Sequence, residues 1–286
     1  GGAVIGTDIG DVSLTGTTIT VSHNIVTDGG GIDVNGAFVL NNSTGTITVS
    51  SDTTHAGNID FDTTINATAT GGSQESLTII NGSGTVGIGG IIGGTKTLGT
   101  LNIAASAATD TGAVTIKQIG ADSSTAGATT VTIGHTGNAL SSITFSGSVY
   151  TSSDDQTYIA DGYSLVGTDP DFNASSENID FQDGDNGMTL AAGSDLTVDT
   201  GSGEDGNINI EAAIASTSGE TTDVTLEAGS GTVVVYGMAT GIGDVTIDGS
   251  DYSYENTLPF HYVDPKYSTP DKGEHSFVFK VTHLRS

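Results

Sequence analysis

The residues with the clearest capacity for chemistry are the oxygen ligands between Asp169 and Asp180. Within these twelve residues, side-chain oxygens fall at positions 1, 3, 5, 7, 9 and 12, close to the spacing with which an EF-hand loop surrounds Ca²⁺. Position 6 is Ala, where such a loop favours Gly, and position 12 is Asp rather than a bidentate Glu. The spacing predicts a calcium site, with a solvated loop built on an Asx-turn as the alternative. The predicted ligands are Asp169, Asp171, Asn173, Glu177 and Asp180.

Aromatic residues gather around the same stretch, between residues 148 and 180. Tyr150, Tyr158, Tyr163 and Phe172 lie there together with Asp154, Asp155, Asp161, Asp169 and Asp171. One interpretation is an irregular loop that binds a glycan, because aromatic faces stack on sugar rings while carboxylates bind hydroxyls. The other is a widened part of the fold whose aromatic rings fill a larger core, and we favour it.

The sequence offers little for catalysis. No nucleophile, zinc or nucleotide motif occurs in a suitable context, and the six histidines are scattered. A pair of acids at Asp60 and Asp62 could serve a glycosidase, but Ile59 and Phe61 form the inward pair of that segment, so both acids should point to solvent. Residues 1–250 contain no Arg to act as a lyase base. We therefore predict that the chain is not an enzyme; a polysaccharide-active enzyme is the alternative.

The charge of the chain excludes one class of partner. The formal net charge is −28, and residues 1–250 hold 29 acids against only Lys96 and Lys117. Phosphate binding requires clustered Lys and Arg, so nucleic acid is not an expected partner. Carboxylates this dense fit cations or a basic surface, or simply form a solvated face that keeps a β-rich chain soluble.

The strands that must position these residues are predicted by a repeated pattern in which two apolar side chains are separated by one residue. We call this pattern the beat. Seventeen pairs such as Ile47/Val49 and Val131/Ile133 recur along residues 19–247, separated by Gly, Thr, Ser, Asn and Asp. Side chains alternate faces on a strand, so each pair predicts one short strand with two inward residues. The spacing is about 13 residues per strand and turn, and two such units would make a turn of about 25 residues. The pattern predicts an all-β right-handed parallel β-helix.

A longer internal repeat supports this fold. Residues 57–90 return, with a two-residue gap, at residues 206–237, in the frame G-N-I-x-[FI] followed by [LV]-T-[IL]-x-x-G-S-G-T-V. These blocks resemble the repeats of filamentous haemagglutinin-type bacterial surface proteins. The resemblance covers most of residues 1–250 and implies a right-handed β-helix in an extracellular fibre, stalk or adhesin without catalytic residues. The N-P-N-G-type secretion domain of that family is absent from the start of this sequence.

The last 36 residues differ in composition from the preceding 250. Three of the four prolines and seven aromatic residues lie in residues 251–286, and Gly is scarce. We predict a β-helical body over residues 1–250 and a non-helical segment over residues 251–286. This segment is either a cap folded over its own last turn or a connector that adds a strand to the next subunit. Its predicted assembly residues are Phe277, Phe279, Lys280, Val281 and Arg285.

Outward T-x-T pairs raise the question of ice binding. Thr18/Thr20 and Thr46/Thr48 are two such pairs. Their spacing along the chain is too irregular to predict a flat threonine lattice.

The predicted function is that of an extracellular structural protein. The resemblance implies that it lies at the surface of a bacterium. The subunits are expected to assemble head to tail into a fibre or sheath, with an adhesin that binds glycan as the alternative. The start of the sequence looks like a processed or trimmed end. No run of 18 apolar residues exists, so we expect no membrane-spanning helix.

Overall fold

The computed structural model describes most of the chain. The described ranges are 10–43, 45–52, 57–68, 74–104, 111–175, 177–201, 206–217, 222–238, 241–249, 251–254 and 279–281. Within them the fold is all-β with no helix, as predicted. No helix in these ranges is therefore long and apolar enough to cross a membrane.

Twenty-five strands follow one another along the described residues. In chain order they are β1 (Val12–Val21), β2 (Ile25–Val26), β3 (Ile32–Leu40), β4 (Thr46–Ser50), β5 (Ile59–Phe61), β6 (Ile65–Asn66), β7 (Ser76–Ile80), β8 (Val86–Ile92), β9 (Leu98–Ile103), β10 (Val114–Ile119), β11 (Ala128–Ile133), β12 (Ile143–Phe145), β13 (Val149–Ser152), β14 (Gln156–Ile159), β15 (Tyr163–Leu165), β16 (Asp171–Ala174), β17 (Ile179–Gln182), β18 (Met188–Leu190), β19 (Leu196–Asp199), β20 (Ile208–Ser216), β21 (Thr222–Glu227), β22 (Thr232–Met238), β23 (Ile242–Asp248), β24 (Asp251–Tyr254) and β25 (Phe279–Val281).

The strands pair in parallel and in three columns. The first column runs through β1, β3, β5, β8, β10, β12, β15, β18 and the second half of β20. The second runs through the later parts of β1, β3, β8 and β10, with β6 between them, and continues through β13, β16, β19, β21, β23 and β25. The third runs through β2, β4, β7, β9, β11, β14, β17, β20, β22 and β24.

The chain visits the three columns in the same order again and again. Each residue of a strand pairs with a residue between 19 and 34 positions away in the sequence. We call one pass across the three columns a layer and number the layers by their third-column strand, from β2 in layer 1 to β24 in layer 10. Each layer contains three strands, whereas the sequence predicted two. The strands of the second column are hard to recognise in the sequence of the early layers. The second-column strand β6 has only one inward side chain, Ile65, and so leaves no apolar pair in the sequence.

The core is a continuous stack of the inward residues predicted by the beat. Ile47, Val49, Leu77 and Ile79, for example, are fully buried, while the residues between them face outward. Fully burying one such side chain contributes about 1.5–3 kcal/mol.

Glycines allow the backbone of successive layers to approach closely at the corners. A Cβ on Gly112 would lie 1.7 Å from the carbonyl oxygen of Gly84, and one on Gly231 would lie 1.9 Å from that of Gly206. Both distances are far inside van der Waals contact. The glycine of each repeat is therefore required by the stacking of layers rather than by chain flexibility.

Residues 148–180 are regular rather than an irregular loop. They contain β13, β14, β15, β16 and the start of β17, which all pair with the neighbouring layers. Tyr150, Tyr158 and Phe172 are fully buried, and Tyr163 is 3% exposed. The core-filling interpretation of these rings is confirmed, and the glycan-binding loop is wrong because no ring of the four is available to a sugar.

The C-terminal boundary also needs correction. Strand β24 continues the third column in register with β22, from Thr232↔Asp251 to Val235↔Tyr254, so layered structure extends past residue 250. Phe279, Lys280 and Val281 pair with Val245, Thr246 and Ile247 of β23 in the same chain. The choice between the cap and the connector interpretation stays a prediction. The other two predicted assembly residues, Phe277 and Arg285, lie outside the described residues.

Candidate functional site

The predicted calcium loop contains two strands, and its five ligands are distributed over two columns. Asp171 and Asn173 lie on the outward side of β16 in the second column, whereas Asp180 lies on β17 in the third. A strand keeps the side chains of one face about 6.6 Å apart and cannot curl around an ion. The prediction of one continuous EF-hand-like loop is therefore wrong, because the apolar residues Phe172 and Ala174 draw the segment into the sheet.

Three of these ligands have other partners. Asp169 accepts a hydrogen bond on Oδ1 from the backbone N–H of Asp195 at 3.1 Å. Asn173 donates from Nδ2 to Oδ2 of Asp199 at 3.3 Å. Asp180 accepts from Nδ2 of Asn209 at 2.8 Å. These contacts all join one layer to the next, so the side chains stabilise the stack.

Glu177 lies close to two other acids that the sequence did not assign to the calcium site. It follows β16, at the corner between the second and third columns, and meets Asp154 and Asp155 from the corresponding corner of the layer before. One carboxylate oxygen from each residue lies within 4.8 Å of the others. We call these three residues the acid triad. Ca²⁺ accepts carboxylate oxygens at 2.3–2.6 Å, so the three oxygens can reach one ion, and calcium binding stays a prediction.

Part of the triad is already committed to hydrogen bonds. Oδ1 of Asp155 accepts from both the backbone N–H and Nδ2 of Asn178, each at 3.0 Å. Asn178 in turn accepts from Asn207 of the next layer at 2.9 Å, and Asn207 accepts from the N–H of Thr232 at 2.9 Å. The triad therefore stands at the start of an asparagine ladder that fixes the corner between the second and third columns.

A ladder of aspartates runs up the start of the second column. Asp169, Asp195 and Asp223 each accept the backbone N–H of the next aspartate at 3.1, 2.9 and 2.9 Å, and the last donor is Asp244. We call these four residues the aspartate ladder. A charged acceptor strengthens each hydrogen bond, so these carboxylates link layers as well as carrying charge.

Another line of acids runs parallel to the aspartate ladder, at the far ends of the same strands. Register places Asn173 beside Asp199, Asp199 beside Glu227, and Glu227 beside Asp248. Neighbouring layers are about 4.8 Å apart, well within the roughly 8 Å screening length of physiological salt. We call Asp199, Glu227 and Asp248 the acid column; Asp171, at the start of β16, pairs with Thr197 and lies near this column.

Electrostatics in and beside the acid column are unfavourable to ionisation. Burial raises the pKa of Asp171 above its ordinary value, and repulsion from Asp199 and Glu227 raises it further. The pKa of Glu227 is raised by partial burial and by repulsion from Asp199 and Asp248. Oδ1 of Asp171 is buried and has no hydrogen-bond partner.

The acids considered for catalysis behave as predicted from the beat. Asp60 and Asp62 are exposed on either side of the buried Phe61. The pKa of Asp60 is raised by burial first and then by repulsion from Asp33, which lies beside it in the layer before, and from Asp62. Partial burial and repulsion within a row of like charges together account for this shift.

Neither acid row of the second column was predicted from the sequence. The signal was present, because the pattern Asp-Φ-Thr-Φ-[Asp/Glu] occurs three times, at residues 195–199, 223–227 and 244–248. Read as strand positions, its first and last residues share the outward face. Only the pairing of the layers reveals that the three copies are adjacent.

Comparisons with known proteins found no matching family model, no matching curated protein and no matching solved structure. The resemblance to filamentous haemagglutinin-type repeats therefore stays a prediction.

Proposed function

We propose that this chain is a right-handed parallel β-helix that serves as a structural subunit of an extracellular, bacterial surface fibre. Three columns of parallel strands visited in fixed order support the coiled path. Parallel crossover connections are right-handed in about 98% of cases, which supports the hand. Ten layers at about 4.8 Å give a rod of roughly 50 Å.

The observation that carries the assembly proposal is the contrast between layer 1 and the layers above it. Val12, Leu14, Ile19 and Val21 on β1 occupy the inward positions but are only partly buried, whereas their partners Ile32, Val34, Phe38 and Leu40 are at most 1% exposed. Among the described residues β1 pairs only with β3 and β2 only with β4. Within the described residues, layer 1 thus presents an unpaired strand edge and an apolar surface.

The other end of the rod offers the complementary edge. Strands β24 and β25 each pair with one strand in the described part of the chain, so each has an outer edge without a strand partner there. All strands of a column point the same way, so this edge matches the free edge of layer 1 in a second copy. Such a contact joins two different surfaces and repeats without closing, which generates a filament.

Negative-stain microscopy of the purified full chain tests this function. We expect filaments for the wild type and monomers for Leu14→Glu, because a carboxylate at the end surface disrupts the apolar contact. Ser164→Glu is the matched control, since Ser164 faces outward on β15 at the side of the rod, and it should still form filaments. Monomeric wild-type protein at all concentrations, or equal assembly of both variants, would contradict the proposal.

A further inference from the structure

One face of the third column carries two adjacent rows of small polar side chains. Thr46 and Thr48 face outward on β4, on either side of the buried Ile47. They stand in register with Ser76 and Thr78 on β7. The sequence does not show that the pair Thr46/Thr48 lies beside the pair Ser76/Thr78, because 30 residues separate them.

The same arrangement continues upward for three more layers. Thr100 on β9 pairs with Thr130 on β11, and Asn102 pairs with Thr132. Strand β14 adds Thr157 beside Thr132. Two rows of outward side chains therefore run across layers 2–5, and one of these rows extends into layer 6. We call the surface formed by the two rows the threonine face.

The threonine face is regular in both directions. Register shifts interrupt the pairings β8–β10, β20–β22 and β21–β23, but none interrupts β4–β7, β7–β9, β9–β11 or β11–β14. Neighbours are therefore about 4.8 Å apart between layers and about 6.6 Å apart along a strand. The irregular spacing in the sequence is absorbed by the turns, so it does not prevent these side chains from standing in register.

The threonine face is also free of charge. Strands β4, β7, β9, β11 and β14 contain no Asp, Glu, Lys or Arg, in a chain whose formal net charge is −28. The surface changes at layer 6, where the acid triad begins beside Thr157. A neutral, repeating surface on a strongly acidic rod does not suit an ionic partner, and it carries no aromatic ring on which a sugar could stack.

We propose that the threonine face binds the surface of ice. Each threonine presents a hydroxyl group, which hydrogen-bonds water, beside a methyl group, which orders the water around it. Repetition of this unit on a two-dimensional lattice aligns many water positions at once, and only a crystalline partner can match all of them together. This inference goes beyond the structural role and does not depend on end-to-end assembly.

Thermal hysteresis of the full chain tests the proposal. The gap between the melting and growth temperatures of a single ice crystal is measured for wild type, Thr78→Tyr and Thr189→Tyr. Thr78 lies near the centre of the threonine face, between the buried Leu77 and Ile79. Thr189 is the matched control, because it faces outward between the buried Met188 and Leu190 on β18 in the first column.

The wild type and Thr189→Tyr should show hysteresis and shape the ice crystal, and Thr78→Tyr should lose both while keeping its melting temperature. No hysteresis in the wild type overturns the proposal whatever the variants do. Equal hysteresis in wild type and Thr78→Tyr also overturns it, because the activity then lies elsewhere. Sedimentation with crystalline cellulose is run in parallel. Binding that only Thr78→Tyr loses, without hysteresis, would assign the face to a polysaccharide instead.

Discussion

The rings of Tyr150 and Phe172 stack on each other across two layers, with centroids 4.7 Å apart and planes 18° from parallel. Phe145 packs edge-on against both, at 4.8 and 4.9 Å. The hydroxyl of Tyr150 donates to the backbone carbonyls of Lys117 and Gly147, so burial leaves it satisfied. This cluster fills the core between the first and second columns.

Truncation of Phe172 should therefore be costly. Phe172→Ala removes a fully buried ring and leaves a cavity among rings that cannot collapse into it, so we expect a loss of about 3–5 kcal/mol in the free energy of unfolding. Chemical denaturation followed by circular dichroism measures it. Phe172→Leu should lose less because it fills more of the space. A loss under about 1 kcal/mol for Phe172→Ala would show that the ring is not a central part of the core.

Stability should rise as the pH is lowered from neutral. The folded-state pKa values of Asp60, Asp171, Asp180 and Glu227 are raised above their ordinary values of 3.8 for Asp and 4.5 for Glu. The folded protein then binds more protons than the unfolded chain, so stability is lost as pH rises through the folded-state pKa values. We expect the melting temperature to increase between pH 7 and about pH 5.

Glu227→Gln is the control for this pH dependence. It removes a charge that repels Asp199 and Asp248, so at pH 7 it should stabilise the protein by a few tenths to about 1 kcal/mol. Its gain on acidification should be smaller than that of the wild type. Asp28→Asn, at an exposed aspartate away from the acid column, should change neither quantity. A melting temperature that falls steadily from pH 7 would contradict this account of the acids.

The beat of apolar pairs was enough to predict strands and their inward residues. It failed where a strand contributes a single inward side chain, as at Ile65, so the second-column strand of that layer was missed. The functional surfaces were harder to predict because they consist of residues 20 to 30 positions apart that register brings together. Thr48 and Thr78 illustrate this point, since turns of different length hide their alignment.

The aspartate ladder should stabilise the folded protein through its hydrogen-bond acceptors rather than through its negative charges. Asp195→Ala removes the acceptor for the N–H of Asp223, and we expect a loss of about 0.5–1.5 kcal/mol. Asp195→Asn keeps a carbonyl acceptor and removes a negative charge, so it should be at least as stable as the wild type. Thermal melting distinguishes the two. If both variants lost the same stability, the hydrogen bond would not be the important part of the ladder.

Calcium should stabilise the protein if the acid triad binds it. At a free concentration 100 times the dissociation constant, binding adds about 2.7 kcal/mol. The melting temperature is measured in calcium chloride and in a chelator at matched ionic strength. Glu177→Gln should abolish the difference. A wild-type melting temperature that is the same in both buffers would remove the calcium prediction.

The central claim is that successive passes of the chain lie in parallel register, and engineered disulfides test it most directly. The chain contains no cysteine, so a pair can be introduced without background. Thr48→Cys combined with Thr78→Cys places two outward thiols on adjacent layers, with Cα atoms about 4.8 Å apart. This separation falls within the roughly 4.4–6.8 Å that a disulfide spans.

Thr48→Cys with Thr132→Cys, three layers apart, is the control. We predict rapid and complete oxidation within monomers of the first pair and none of the second. Failure of the first pair to close, or equal closure of both, would contradict the account.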